Sequence, residues 1–168
     1  VTKPYSLEDV SWDYVKLSDL FTSIYKANPH VKANLTICEF AFENSVPFIS
    51  RTESNNGCDG YVNADDVFVE EGNAIIIGDT TASVFYQPIS FTTGDHIIVC
   101  RCSNLNKYNS LFLRTVLSLE KYRFNYGRAF KRDIVINHKI KLPVKSDGSP
   151  DWDFMEKYIK SLPFSASV

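Results

Sequence analysis

The sequence predicts an α+β fold: a single mixed domain with a twisted, mainly antiparallel sheet, one long amphipathic helix near 106–122 and a C-terminal helix near 150–162. Three observations carry this. Short β-like runs separated by Asn/Gly turns fill much of the first hundred residues. Residues 106–122 repeat their apolar positions with a helical period. Ser149-Pro150-Asp151-Trp152 has the chemistry of a helix start. A length of 168 residues with 44% hydrophobic content suits one core of ordinary size.

In chain order, Trp12-Asp13-Tyr14-Val15-Lys16-Leu17 alternates like a strand, and Ser18-Asp19-Leu20-Phe21 reads as a capped turn or short helix. Residues 28–45 lack periodicity and read as irregular. Val46–Ser50 is strand-like, and Asn55-Asn56-Gly57 with Cys58-Asp59-Gly60 is turn chemistry, because Asn and Gly tolerate positive φ. Gly72-Asn73 turns into Ala74-Ile75-Ile76-Ile77, a buried strand, and Ser83–Tyr86 and His96–Cys100 read as two more. In the long helix, Tyr108, Leu111, Phe112, Thr115, Val116, Leu119 and Tyr122 form the expected buried stripe. Tyr122 and Phe124 are expected to pack inward. Ile140 and Leu142 alternate with lysines in a last strand ending at Pro143. The closing helix takes Ser149 as N-cap, Pro150 as first residue and Trp152, Met155, Ile159 and Leu162 as its apolar side.

The net charge of −2 conceals a distribution. Residues 1–100 hold 5 Lys+Arg against 14 Asp+Glu, whereas residues 101–145 hold 11 against 2. Residues 146–168 hold 2 against 4. A basic block of this density fits a face directed at a polyanion. Alternatively, its cations pair with the acidic first hundred residues once the chain folds. Overall balance excludes a strongly basic coating protein and a polyacidic chain, and 14% aromatic content excludes disorder. No apolar run is long enough to span a bilayer. The start, Val1-Thr2-Lys3-Pro4, reads as a piece of a longer protein.

Chemistry-bearing clusters are sparse. Cys100 and Cys102 share a strand face, but Cys38, Cys58, His96 and His138 supply no second paired motif for zinc. Four cysteines are too few for a disulfide framework and read as buried free thiols. A Cys/His nucleophile pair lacks a glycine-flanked turn, and Asp65-Asp66 and Glu70-Glu71 lack the lysine a metal-dependent nuclease would place beside them. No phosphate-cradling glycine loop is present, and Asn34-Leu35-Thr36 is a glycosylation sequon without a secretory context. The expectation is a chain with no catalytic residues and no metal.

The basic block is more informative. Lys121-Tyr122-Arg123-Phe124-Asn125-Tyr126-Gly127-Arg128-Ala129-Phe130-Lys131-Arg132 alternates cations with aromatics. Lys121, Arg123, Arg128, Lys131 and Arg132, with Lys139 and Lys141, can neutralise phosphates, and Tyr126 can bond phosphate oxygens or base edges. The 50–57 stretch adds Arg51, Thr52, Asn55 and Asn56: arginine can read guanine bidentately and asparagine can read adenine. Tyr86 and Gln87 complete the candidate base readers. The rival readings are a small metal-dependent nuclease and a protein-interaction module with a basic face.

Several segments in order resemble the target recognition domain of the DNA-specificity (S) subunit of type I restriction–modification systems, and the related domain of fused type II enzymes. They are Trp12-x-x-Val15-Lys16-Leu17-x-Asp19-Leu20-Phe21; Val46-Pro47-Phe48-Ile49-Ser50-Arg51-Thr52 with Asn56-Gly57; and Gly72-Asn73-Ala74-Ile75 with Gly78. Next come Val84-Phe85-Tyr86-Gln87-Pro88 with Phe91, Leu105-Asn106-Lys107-Tyr108-x-x-Leu111-Phe112 and Tyr126-Gly127-Arg128. The last is Lys141-Leu142-Pro143-Val144 before Gly148-x-Pro150-Asp151-Trp152.

The resemblance implies a recognition domain over 1–150, and a C-terminal helix over 151–168 that begins a spacer. It also implies a non-catalytic, cytoplasmic component that reads one half of a bipartite double-stranded DNA target. Its partners would be methyltransferase (M) and restriction (R) subunits or domains, with room for a second recognition domain and no membrane contact. S-adenosylmethionine would sit on the modification partner, so no cofactor is assigned here. Two features depart from the family. Ile24-Tyr25-Lys26-Ala27-Asn28 lacks the glycine common there, and the long spacer helix is represented at most by 151–162. A fragment, a half-length subunit and part of a fused enzyme all remain open.

Overall fold

The computed structural model describes residues 5–124, 128–163 and 165–168. In chain order its elements are β1 (Ser11–Lys16), α1 (Leu17–Leu20), β2 (Ser23–Lys26), β3 (Ser45–Ile49), β4 (Cys58–Asn63) and β5 (Ala74–Gly78). Then follow β6 (Val84–Gln87), β7 (Thr92–Thr93), β8 (Ile97–Arg101), α2 (Lys107–Leu119), α3 (Arg132–Asn137), β9 (Lys139–Val144) and α4 (Trp152–Ser161).

The strands divide among three sheets: a β1–β9 ribbon, a four-stranded sheet in the order β2-β8-β5-β6, and a three-stranded sheet in the order β4-β3-β7. Every pairing of these strands is antiparallel except β3 with β7. β5 explains why the four-stranded sheet sits at the centre. Ile75 and Ile77 join the core beneath α2 and α4, while Ala74 and Ile76 join a second core toward β3. A strand buried on both faces reads as a continuous apolar run, as 74–77 does.

The long helix starts where its cap dictates. Asn106 accepts from the backbone N–H groups of Tyr108 and Asn109, and the Asn109 side chain accepts from Asn106 N in return. Its buried face corrects the expected stripe. Asn109, Ser110, Phe112, Leu113 and Leu117 face the core, whereas Leu119 is 68% and Tyr122 76% exposed. Asn109 and Ser110 are buried because their polar groups are satisfied locally, by Asn104 O and Lys107 O. A stripe chosen by apolarity alone passes over them. Phe124 packs inward as expected.

Two boundaries also shift. The N-cap of α4 is Asp151, whose carboxylate accepts from Phe154 N at 3.0 Å, while Ser149 bonds to Asp147 instead. β9 runs on through Pro143, which pairs with Trp12 in a two-stranded ribbon whose open edges tolerate a missing donor. The irregular 28–45 segment is tied down by bridges from Pro29 to Thr93 and from Cys38 to Tyr61.

Candidate nucleic-acid interface

The loop between β3 and β4 is held by its own amides. Asn55, Asn56 and Gly57 all take positive φ, at 49°, 52° and 79°. A Cβ on Gly57 would lie 3.2 Å from the Phe85 ring, so glycine permits this close approach to β6. Asn56 Nδ2 donates to Tyr86 O at 2.8 Å, and Gln87 Nε2 donates to Asn56 O at 2.8 Å. This reciprocal clamp lays the loop along the edge strand. Gln87 is 3% exposed, so its amide braces the loop and is closed to a ligand. Asn55 donates to Cys58 O, and Tyr86, half-buried, donates through its hydroxyl to Asn73. Burial pushes the Tyr86 phenol above its usual range.

Arg51, Glu53, Ser54, Asn55 and Asn56 are exposed, with Thr52 half-buried among them; of these, the two asparagines spend an amide donor within the loop clamp. Arg51 Nη1 lies 3.4 Å from Thr80 Oγ1, on the turn joining β5 and β6. The same turn accepts Phe130 N at Asp79 O, 2.6 Å away. Glu53 meets Lys121 Nζ at 2.6 Å. Segments distant in sequence, 51–54, 79–81, and the described residues on either side of 125–127 through Lys121 and Phe130, thus converge. The 79–81 turn was not among the sequence candidates. Its signal was available in Gly78-Asp79-Thr80-Thr81, polar residues directly after an apolar run.

Behind this edge the basic segment is pinned by aromatics. Phe124 and Phe130 stack at 3.9 Å with planes 9° apart, and His138 stands edge-on to both. Glu120 holds His138 Nε2 at 2.9 Å and Arg123 Nε at 3.3 Å. Arg123 also donates to Tyr122 Oη and lies over its ring. The Tyr122 bond, and then Glu120, hold the guanidinium pKa above its usual value. Arg123 and Arg128 line a cleft of about 690 Å³ with Tyr122, Phe124, Ile134 and His138. Arg128 and Lys131 are exposed, and Arg132 is anchored by donation to Ile24 O. Lys139 and Lys141 project from β9. Tyr126 lies outside the described residues.

The expectation that cations of the basic block pair internally holds for three of them. Arg101 is consumed internally by Tyr25, Glu70 and two backbone carbonyls, and Arg114 by Val84 O and the Phe85 ring. Lys121 pairs with Glu53. Arg123, Arg128, Lys131, Arg132, Lys139 and Lys141 are exposed.

Of the four free thiols, expected to be buried, Cys100 is, Cys58 and Cys102 are half-buried, and Cys38 is exposed because its backbone bridges to Tyr61 at the rim of the β4 sheet. Burial pushes the Cys100 thiol far above its usual range and raises Cys102 as well. No group of three or more His, Cys, Asp or Glu residues among those described is placed to hold a metal ion. No helix among the described residues is long and apolar enough to cross a membrane.

Residues 9–164 match the family model described as type I restriction modification DNA specificity domain. The chain belongs to this family. Over 161 residues this specificity domain is 30% identical to the type II restriction enzyme BgcI specificity subunit S.BcgI of Heyndrickxia coagulans, covering 94% of this chain and 45% of that subunit. Its fold resembles the type I restriction–modification S subunit from M. genitalium, with a TM-score of 0.64 and 12% identity over 96% of this chain and 40% of the other. It also resembles the HsdS subunit from Thermoanaerobacter tengcongensis, at 0.60 and 12% over 99% and 40%. The domain therefore spans less than half the length of these relatives.

Proposed function

We propose that this specificity domain binds double-stranded DNA, reads one half of a bipartite target and positions modification and cleavage partners without performing catalysis itself. The observation that carries this reading is the convergence of the 51–54 loop and the 79–81 turn with the exposed cations of 121–132. Lys131, Arg128 and Arg123 are suited to phosphates, which set register and carry no sequence information. Arg51, Thr52 and Thr80 are suited to base edges. S-adenosylmethionine belongs, on this reading, to the modification partner.

Titration of labelled duplexes at several salt concentrations tests it. Lys131→Ala weakens binding to all sequences alike and lowers the salt slope by about 0.9. Arg51→Ala costs about 1–3 kcal/mol on the preferred half-site and relaxes its selectivity. Wild-type affinity and selectivity in both variants would remove the assigned surface. Plasmid cleavage by the pure chain with divalent metal would overturn the non-catalytic role.

A further inference from the structure

The outer face of the β1–β9 ribbon contains a pairing that folding alone disfavours. Lys16 stands directly opposite Lys139, and Tyr14 stands opposite Lys141. Opposed residues of an antiparallel pair project to one face, and like charges placed there repel. The intervening pair, Val15 and Ile140, is buried on the opposite face; Tyr14, Lys139 and Lys141 are exposed and Lys16 is half-buried, while Trp12 at the end of the same face packs on Phe112. Tyr14 is 65% exposed.

No ion pair among the described residues neutralises the strip, and Glu120, which lines a cleft with Lys141, is paired elsewhere. Among the described residues, none of Lys16, Lys139 and Lys141 has a carboxylate within ion-pair distance. Asp13, next in sequence to Tyr14, lies across from Leu142 on the other face and accepts from Tyr14 N. Glu120 is committed to Arg123 and His138.

We propose that this ribbon face is a second phosphate seat, in which Lys16 and Lys139 flank one backbone phosphate of duplex DNA while Lys141 and Tyr14 hold the next. The two residue pairs are two positions apart along the strands, about 6.8 Å, comparable with the separation of successive phosphates on one strand. Lysines are compact point charges suited to phosphate, whereas a carboxylate-bearing partner is better matched by the planar arginine fork. The proposal rests on the duplex reading above and adds Lys16 and Tyr14 to its residues.

The experiment measures thermal unfolding and salt-dependent binding of a labelled random duplex for the wild type, Lys16→Ala, Lys16→Glu and Lys139→Glu. Each acidic variant replaces a repulsive cross-strand pair with an attractive one, so Tm rises by about 2 °C. Lys139→Glu, on an exposed position, serves if Lys16→Glu does not fold. Lys16→Ala lowers the salt slope by about 0.9 and both acidic variants weaken binding further. An unchanged or lower Tm in the acidic variants overturns the repulsive pair. A raised Tm with unchanged binding, while Lys131→Ala still lowers the slope, overturns the ribbon seat and leaves the duplex reading standing. Absence of duplex binding by the wild type overturns both.

Discussion

Arg101→Met separates charges that build the fold from charges available to a ligand. Arg101 counts toward the basic block, yet its donors are spent on Tyr25 Oη (3.0 Å), Gly72 O (2.9 Å), Glu71 O (2.8 Å) and Glu70 Oε2 (3.4 Å). The Glu70 and Arg101 side chains are 7% and 21% exposed. Methionine keeps an apolar stem but leaves the Glu70 carboxylate buried with the Tyr25 hydroxyl as its remaining partner. Removing one member of such a pair costs about 3–5 kcal/mol. The lower end applies, because Glu71 is exposed and its carbonyl can turn to water. With a slope of about 2 kcal/mol per molar urea, a loss of about 3 kcal/mol moves the midpoint down by about 1.5 M. Tryptophan fluorescence during urea unfolding measures it. The double variant Arg101→Met with Glu70→Gln recovers at least half of the loss, because neither charge is then stranded. Under conditions where Arg101→Met is folded, its salt slope for duplex binding equals that of the wild type. A loss below about 1 kcal/mol, or no recovery in the double variant, would refute the coupling.

Gln87→Ala strands Asn56 O and loosens the loop clamp, costing about 1–3 kcal/mol by urea unfolding and lowering half-site selectivity more than affinity for random duplex. Glu53→Gln releases Lys121 from its ion pair. Binding to random duplex at low salt then tightens and the slope steepens by about 0.9, while stability stays within about 0.5 kcal/mol in thermal unfolding. Glu156 is held below the usual carboxylate range, first by Lys160 and then by Asn106. A carboxyl with a depressed folded pKa contributes stability above its unfolded pKa of about 4.3, and that contribution disappears as pH falls through the folded value. Glu156→Gln is therefore less stable than the wild type at neutral pH, and urea midpoints of the two converge at acid pH.

Much of the fold was legible where one residue type answered one physical demand. The 74–77 run had to be a buried strand, and the helical period of 106–122 had to be a helix. What escaped depends on partners distant in sequence. β2 reads as polar Ser-Ile-Tyr-Lys and becomes a strand because β8 lies beside it. β4 reads as a turn because of Gly60, yet glycine is required there: a Cβ would come within 2.4 Å of Ile37 and 2.8 Å of Cys38 O, where the irregular segment bridges to Tyr61. α3 is a short helix between charged residues and carries no sequence period of its own.

The candidate site shows the same division in chemical form. Asn56 and Gln87 carry the donor and acceptor pair that reads adenine, and that pair also satisfies buried backbone, so composition could not separate the two uses. The structure separates them by engagement. The side-chain amides of Asn55, Asn56 and Gln87 each donate to a backbone carbonyl, Gln87 from a buried position and the two asparagines from exposed ones, while Arg51, Glu53 and Ser54 are exposed with Thr52 half-buried among them. Because the clamp runs through Asn56 O, Tyr86 O and two amide side chains, it does not depend on which side chains occupy 51–54. Substitutions confined to 51–54 therefore alter the surface assigned to base edges on the proposed reading, while leaving the β6 edge, the stacked Phe124–Phe130 pair and the cations of 123–132 in place. A loop braced by amides at its far end separates the side chains of 51–54 from the stability of the scaffold, which is the separation that the proposed recognition role calls for.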